Sequence, residues 1–286
     1  MRIRDYPILL TILLAPPVVL AADPVVPVPR QSPPLDDVPE TPDSSERPES
    51  PWSGHIALGG MMMPDFPGSK DYQYLPLVMA KLGYRDFYVE AMGPRAKINL
   101  VPGGRVEAGP LVAYDGGRDD DVDNRRVGRL PKVDSTIELG GFAQLNFAQM
   151  LMEEDSLSFG VEFAQALEGH EGYTINLQTS YGIQMLPFIV SIDLGAQYAD
   201  KDYAEAYFGV DSAGSAATGL PVYSASAGAT TLEAGLNLQF GFSPNWGIMS
   251  RVSYGRLIGD AADSPIVKEE GSANQFSAGL AVMYRF

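Results

Sequence analysis

The sequence of 286 residues contains no cysteine and only two histidines, His55 and His170. Without cysteine the chain has no disulfide, no thiol nucleophile and no zinc–thiolate site. Basic residues are also few: 20 lysines and arginines stand against 36 aspartates and glutamates, for a formal net charge of −16. Because nucleic-acid binding requires a basic surface that neutralises phosphates, this balance argues against nucleic acid as a partner.

Long apolar runs are missing as well. No stretch reaches the roughly 18 consecutive apolar residues that a transmembrane helix needs, which excludes a helical inner-membrane protein. Hydrophobic residues nevertheless make up 45% of the chain. Two classes therefore remain, a soluble protein and a β-barrel, whose alternating strands average out to neutral hydropathy.

The amino-terminal residues predict two segments ahead of the folded domain. Residues 1–22 combine Arg2 and Arg4 with a short apolar run and terminal alanines, the layout of a secretory signal peptide. Residues 23–51 are acidic, rich in proline and free of aromatic residues, so they predict a disordered periplasmic tether. This tether is either a flexible spacer or a segment that reaches a periplasmic partner.

From Trp52 onward, apolar and polar residues alternate with a period of two, as in 173–184 and 231–242. The polar face carries small and amide side chains, and aromatic residues cluster near the strand ends. A soluble sandwich would place lysine and glutamate on that face, whereas a membrane barrel turns its apolar face to lipid. Only a closed barrel crosses a bilayer as strands with every backbone group paired. The sequence predicts an all-β fold, a closed transmembrane antiparallel β-barrel over residues 52–286.

The alternation predicts about twelve strands, an even number as in other outer-membrane barrels. With the amino end in the periplasm, the three longest connections (115–133, 200–227 and 258–273) fall outside, and short proline-containing turns fall inside. Residues 86–101 fit either two short strands or one long strand, and the even count favours two. The predicted strands are 52–63, 74–82, 86–92, 95–101, 105–114, 134–149, 156–167, 172–184, 188–199, 228–241, 246–257 and 274–286.

The last ten residues, SAGLAVMYRF, place Leu280, Val282, Tyr284 and Phe286 on one face of a strand. A terminal phenylalanine with a tyrosine two positions earlier resembles the signal that delivers proteins to the barrel-assembly machinery of the outer membrane. Pairing with that machinery, or with the first strand, also protects an exposed strand edge. We therefore expect the cell outer membrane as the location, with membrane lipid and lipopolysaccharide as surroundings.

Several blocks of sequence carry a family resemblance through their order and spacing. They are GGMMMPDFPGSKDYQYLPLVMAKLGYRDFYVEAMGPRAKINL, EAGPLVAYDGGRDDDVD, YFGVDSAGSAATGLPVYSASAG and YGRLIGDAADSPIVKEEGSANQFSAGLAVMYRF. Together they resemble the MipA/OmpV family of Gram-negative outer-membrane proteins, over about Trp52 to Phe286. The resemblance implies a non-enzymatic scaffold that holds a peptidoglycan lytic transglycosylase beside a penicillin-binding protein. Other members of the family are surface antigens, adhesion factors or porin-like proteins.

Charged residues on the polar strand faces are candidates for the barrel lumen. One interpretation is an ion-pair and amide network that plugs the barrel. The other is a water-filled, cation-preferring channel, which the glycines on the same faces favour. The lumen candidates are Glu107, Glu138, Glu162, Asp193, Glu233, Arg251 and Arg285.

The loop DGGRDDDVDNRR gathers Asp115, Asp119, Asp121 and Asp123. Alternating aspartates are typical of the start of a calcium-binding loop, but Leu130 stands where the bidentate glutamate belongs and the central glycine is missing. We therefore predict a solvated acidic outer loop. Divalent ions there would bridge carboxylates to lipopolysaccharide phosphates.

His170 lies in a short outer loop between Glu168 and Glu171, which would orient or charge its ring. No serine lies in that loop, so a hydrolase triad would need groups from neighbouring strands. We predict no enzymatic activity, no cofactor and no bound metal. A small porin-like channel and a surface adhesin acting through the outer loops remain as alternatives to the scaffold.

Overall fold

The computed structural model describes residues 51–286. The predicted signal peptide (1–22) and all of the predicted tether except Pro51 lie outside this range. The described chain forms a closed barrel of twelve antiparallel strands. The predicted fold class and strand number are therefore confirmed. None of the helices within residues 51–286 is long and apolar enough to cross a membrane.

Each strand pairs with its neighbours in the chain, and the first strand closes the barrel on the last. The ambiguous segment at residues 86–101 forms two short strands, as the even count required. The strands are β1 (Trp52–Pro64), β2 (Tyr72–Tyr84), β3 (Phe87–Met92), β4 (Arg95–Asn99), β5 (Val106–Asp115), β6 (Thr136–Ala148), β7 (Asp155–Ala166), β8 (Tyr173–Met185), β9 (Phe188–Ala199), β10 (Gly228–Gly241), β11 (Trp246–Leu257) and β12 (Asn274–Arg285).

The two faces of the wall follow the alternation of the sequence. On β10, Leu232 and Leu236 are about half exposed and point to the outside, whereas the next residue, Asn237, is buried in the lumen. Aromatic pairs mark both edges of the apolar band. Trp246 packs on Tyr284 at one end, with ring centroids 4.9 Å apart, and aromatic pairs of β11–β12 and β7–β9 lie at the other end. These belts are typical of strands that sit between two membrane interfaces.

The connections divide between the two ends of the barrel, which we call the loop end and the turn end. The turn end carries five short connections, the longest of them six residues (100–105 and 149–154), and both ends of the barrel chain. The loop end carries six connections: residues 65–71, 93–94, 116–135, 167–172, 200–227 and 258–273. Because outer-membrane barrels place short turns in the periplasm and longer loops outside, the turn end is the periplasmic one.

The long connections at the loop end fold together into a cap rather than extending as free loops. We define the cap as residues 65–71, 116–135, 200–227 and 258–273. It contains the helices α1 (Lys201–Phe208), α2 (Ser212–Thr218) and α3 (Gly259–Asp263), a 3₁₀ turn (Val127–Arg129) and a π-helical turn (Ile266–Glu270). The side chains of Asp200 and Asp211 accept hydrogen bonds from the first-turn amides of α1 and α2, which fixes where each helix begins.

Apolar side chains hold the cap together in two clusters. The first lies around α1 and joins the loops to the ends of β9 and β11. The second joins residues from all four cap segments and consists of Phe66, Val127, Leu130, Val210, Leu220 and Ile266. The outer connections at 200–227 and 258–273 therefore bury apolar residues inside the cap.

Arginines tie the cap segments to one another. Arg118 donates from Nη1 to the carbonyl oxygen of Tyr207 at 2.9 Å, and its burial lowers its pKa to about 10. Arg126 donates to Glu270 at 2.7 Å and to the carbonyl oxygen of Thr218 at 2.8 Å. These bonds connect residues 116–135 with both of the helical cap segments.

Truncating the buried side chain of Leu220 tests whether the cap is a packed unit. Leu220 is 0% exposed, so Leu220→Ala leaves a cavity and lowers the stability of the cap by about 3 kcal/mol. We expect residues 200–227 to be cleaved faster in limited proteolysis of the folded protein, with the barrel left intact. Val222→Ala is the matched control, because Val222 lies in the same segment and is 65% exposed. Equal cleavage rates in the two variants would show that the segment is a free loop.

Candidate functional site

Arg251 is the centre of a polar network on the inner face of four neighbouring strands, β8 to β11. It donates to Glu233 at 2.9 Å and to Asn237 at 3.1 Å, and it pairs with Asp193. Asp193 also accepts from Ser180 at 2.7 Å and from Asn237 at 2.6 Å. Every charge in this group has an opposite charge or an amide beside it, which is how buried charges are stabilised.

A second group of charges faces the first from the β3–β7 wall. Arg95 pairs with Glu162 at 2.7 Å and lies 4.0 Å from Glu138. Tyr88 donates its hydroxyl to Glu107 at 2.7 Å. Lys97 and Glu90 form a further pair at 3.6 Å. The lumen candidates Glu107, Glu138 and Glu162 therefore lie inside the barrel, each less than a tenth exposed.

One side of the lumen, lined by β1, β2, β11 and β12, carries an apolar cluster. Met79, Met249 and Met283 pack together with Ala57 and Ala281. The two charged groups and this apolar cluster thus extend side chains into the lumen, although glycines also lie on its inner face. Arg285 differs from the other lumen candidates: it lies opposite His55 at the turn end and is exposed.

Asp115 occupies a different environment from the one expected. It is the last residue of β5 rather than part of a solvated loop, and its Oδ1 accepts hydrogen bonds from the Gly117 amide (2.8 Å) and the Tyr207 hydroxyl (2.6 Å). Burial, together with the negative Asp115, raises the pKa of the Tyr207 hydroxyl well above its usual range, so that it remains a donor. Asp115 therefore joins the barrel wall to α1 of the cap.

His170 completes this group beneath the cap. Its side chain is 0% exposed, and Nε2 lies 3.6 Å from Oδ2 of Asp115. The Gly172 amide donates to Nδ1 at 3.1 Å, and the rings of Tyr203 and Tyr207 lie against the imidazole. Glu168 and Glu171, the neighbours that the sequence offered as partners, are exposed.

Glu138 brings a second carboxylate to the same place. One ligand atom each of Asp115, Glu138 and His170 lie within 4.8 Å of one another. The proximity of Asp115 and Glu138 could be predicted from the sequence, because both occupy inward positions near the loop ends of paired strands. His170 gave no such signal, since its loop has no periodicity.

The remaining members of the predicted acidic loop lie on the surface of the cap. Asp119, Asp121 and Asp123 are exposed, and the neighbouring Asp120 pairs with Lys132 at 2.7 Å. The predicted assembly-signal residues are placed on the lipid face. Leu280, Val282, Tyr284 and Phe286 are between 37% and 59% exposed.

The turn end exposes a set of large apolar residues. In the turn between β6 and β7, the amides of Met150, Leu151 and Met152 all donate to the carboxylate of Asp155, at 2.6 to 3.0 Å. Tyr181 donates its hydroxyl to the same carboxylate at 2.9 Å. The tip of this turn is thus rigid, and its Leu151 is 81% exposed.

Two neighbouring turns extend this surface. Leu186, between β8 and β9, is also 81% exposed, and Phe242, between β10 and β11, is 53% exposed. We call the whole set the apolar rim, defined as Met150, Leu151, Met152, Met185, Leu186 and Phe242. Glu153 and Glu154 are exposed in the same turn as Leu151, which places charged and apolar side chains side by side at the water-facing edge.

The family model described as "MltA-interacting protein MipA" matches residues 56–286. Outer membrane protein Omp26La of Vibrio anguillarum is 25% identical over 243 residues, covering 83% of this chain and 88% of the relative. Outer membrane protein OmpV of Vibrio cholerae serotype O1 shows the same identity and coverage. Among solved structures, the NanC porin superposes with a TM-score of 0.47 at 10% identity, covering 81% of this chain and 100% of that one.

Replacing Arg251 tests whether the lumen network stabilises the barrel. Arg251→Met leaves Asp193 and Glu233 buried without their cation, so the free energy of unfolding should fall by about 3 kcal/mol. Urea unfolding in detergent, followed by tryptophan fluorescence, measures this change. Arg285→Met is the control, because Arg285 is exposed and its loss should change stability little. If the network does not stabilise the barrel, both variants will have the same free energy of unfolding as the parent protein.

Proposed function

The chain belongs to the MltA-interacting protein MipA family, and from this premise we propose that its outer-membrane barrel is a non-enzymatic scaffold. In this proposal the periplasmic end of the barrel binds a lytic transglycosylase, the class of enzyme after which the family is named. A penicillin-binding protein joins the complex through the transglycosylase. The scaffold thereby keeps cleavage and synthesis of peptidoglycan together at the outer membrane.

The apolar rim is the observation that carries this proposal. A contiguous set of exposed apolar side chains on a protein surface in contact with water marks an interaction site. The exposed Glu153 and Glu154 argue that the tip of the β6–β7 turn stands in water, because carboxylates are costly in hydrocarbon. Since the Asp155 carboxylate already orders the backbone of this turn, little conformational entropy is lost when a partner binds.

The filled lumen and the cap also favour a scaffold. The networks around Arg251 and Arg95, together with the methionine cluster, occupy the path that a solute would take. A scaffold has no need of such a path, whereas a porin depends on it. The outer loops are packed into the cap, so an adhesin would have to act through the exposed surface of the cap.

A small channel remains the second candidate, favoured by one observation. The amide nitrogens of Asn176 and Gln197 and the hydroxyl of Thr174 are buried without a hydrogen-bond partner in the described part of the chain. Buried polar groups of this kind are normally satisfied by water. Water inside the barrel near Glu233 is compatible with a narrow conducting path.

Recording from planar bilayers separates these two functions. Because side chains fill the lumen and the cap covers its loop end, we expect no conductance steps from the purified protein. The positive control is a porin inserted under the same conditions. Regular steps whose cation preference reverses in Glu233→Lys would establish the channel and contradict the filled-lumen account.

Photo-crosslinking from the apolar rim tests the scaffold. A benzophenone amino acid at Leu151 should capture a lytic transglycosylase in intact cells, and the same group at Val222 on the cap, which is 65% exposed, should not. Leu151→Asp should reduce co-purification of the enzyme about tenfold, the effect of removing one apolar anchor. Adducts with lipid alone at Leu151, or equal capture from both positions, would mean that the apolar rim is not the docking surface.

A further inference from the structure

Three donor groups converge at the top of the lumen, beneath α1. We propose that Asp115, Glu138 and His170 form a binding site for a divalent transition-metal ion, best matched by Zn²⁺. Their ligand atoms already lie within 4.8 Å of one another. Ligands at about 2 Å from one zinc ion are about 3 to 4 Å apart, so the three groups must move closer together to complete the site.

The unpaired nitrogen of His170 points into this group of oxygens. Nε2 has no hydrogen-bond partner among residues 51–286, although the side chain is fully buried. Oδ2 of Asp115, at 3.6 Å, lies beyond hydrogen-bonding distance. Because buried polar nitrogens are nearly always paired, this nitrogen needs a ligand that the protein itself does not supply.

The charges around the site also favour a cation. Asp115 and Glu138 place two carboxylates in the same buried space, and burial of unpaired carboxylates is costly. Arg95 is 4.0 Å from Glu138, and its shorter ion pair, at 2.7 Å, is with Glu162. A divalent ion between Asp115 and Glu138 would neutralise the charge that Arg95 leaves uncompensated.

Asp115 is oriented for this role by its second oxygen. Oδ1 is held by the Tyr207 hydroxyl and the Gly117 amide, which leaves Oδ2 to face His170. Hydrogen bonds of this kind to the outer atoms of ligands are a regular feature of metal sites. Since Tyr207 belongs to α1, a bound ion would join the cap to β5 and β6 and hold it closed.

The donor set selects among ions. Calcium and magnesium prefer six or more oxygen ligands, whereas zinc accepts a mixture of imidazole and carboxylate with one position left for water. The Gly172 amide donates to Nδ1, whereas an imidazole that binds a metal ion through Nε2 carries its proton on Nδ1. Binding therefore turns the Gly172 amide away, so the loop at 167–172 must rearrange.

Zinc titration of the full-length folded protein tests the proposal. After treatment with a chelator, the protein should bind one Zn²⁺ per chain in competition with a chromophoric chelator, and Co²⁺ should give visible absorption bands. Glu138→Gln, which keeps the shape of the side chain, and His170→Ala should each weaken binding by at least about 100-fold, more than the loss of an outer hydrogen bond. Ca²⁺ and Mg²⁺ should not compete at similar concentrations.

Matched variants identify the site. His55→Ala removes the other histidine, and Asp121→Asn removes an exposed carboxylate, and both should bind zinc like the parent protein. Absence of stoichiometric binding, or equal affinity in Glu138→Gln and the parent protein, would overturn the proposal. Both readouts are independent of any peptidoglycan enzyme, so they do not depend on the scaffold function.

Hydrogen exchange tests the link to the cap. Zinc should slow amide exchange in α1 and alter it in residues 167–172 of the parent protein, and it should do neither in Glu138→Gln. Tyr207→Phe should bind zinc about tenfold more weakly, because Asp115 loses one of the bonds that orient it. Zinc binding that leaves exchange in α1 unchanged would contradict the role of the ion in holding the cap.

Discussion

The pairing of every backbone amide and carbonyl within the bilayer is the constraint from which the rest of this structure follows. Strands meet it only as a closed cylinder, so β1 must pair with β12, from His55 opposite Arg285 to Met62 opposite Ala278. Closure gives the wall two unlike faces, one toward lipid and one toward a narrow interior. The period of two in the sequence, the aromatic belts and the polar lumen are all consequences of that geometry.

Closure also separates the charges on the inner face from bulk water. Charges on the inner face cannot reach bulk water easily, and they are therefore arranged in pairs around Arg251 and Arg95. The group at Asp115, Glu138 and His170 differs, because the nearby Arg95 makes its close contact with Glu162 and lies 4.0 Å from Glu138. The cap sits directly above this group, and Tyr207 connects the two.

The strands and their faces could be predicted because residues two positions apart share a face. Their number could be predicted because outer-membrane barrels have an even number of strands. The cap could not be predicted in the same way. Its helices are short, and the apolar residues that build its core come from segments far apart in the chain, such as Phe66 and Ile266. Asp115 differs from its prediction for the same reason: an aspartate beside a glycine-rich acidic stretch is typical of a loop, and only the position of α1 shows that Tyr207 partly covers it.

The proposed scaffold needs a docking surface on the side of its partner, and the apolar rim at the periplasmic end, opposite the cap, is the surface proposed for it. An electron cryo-microscopy structure of the barrel in a lipid nanodisc with a purified lytic transglycosylase tests this account most directly. The account predicts that the enzyme contacts the turns that carry Leu151 and Leu186 and leaves the cap uncovered. Density for the enzyme over the cap, or no complex at micromolar concentrations, would contradict it.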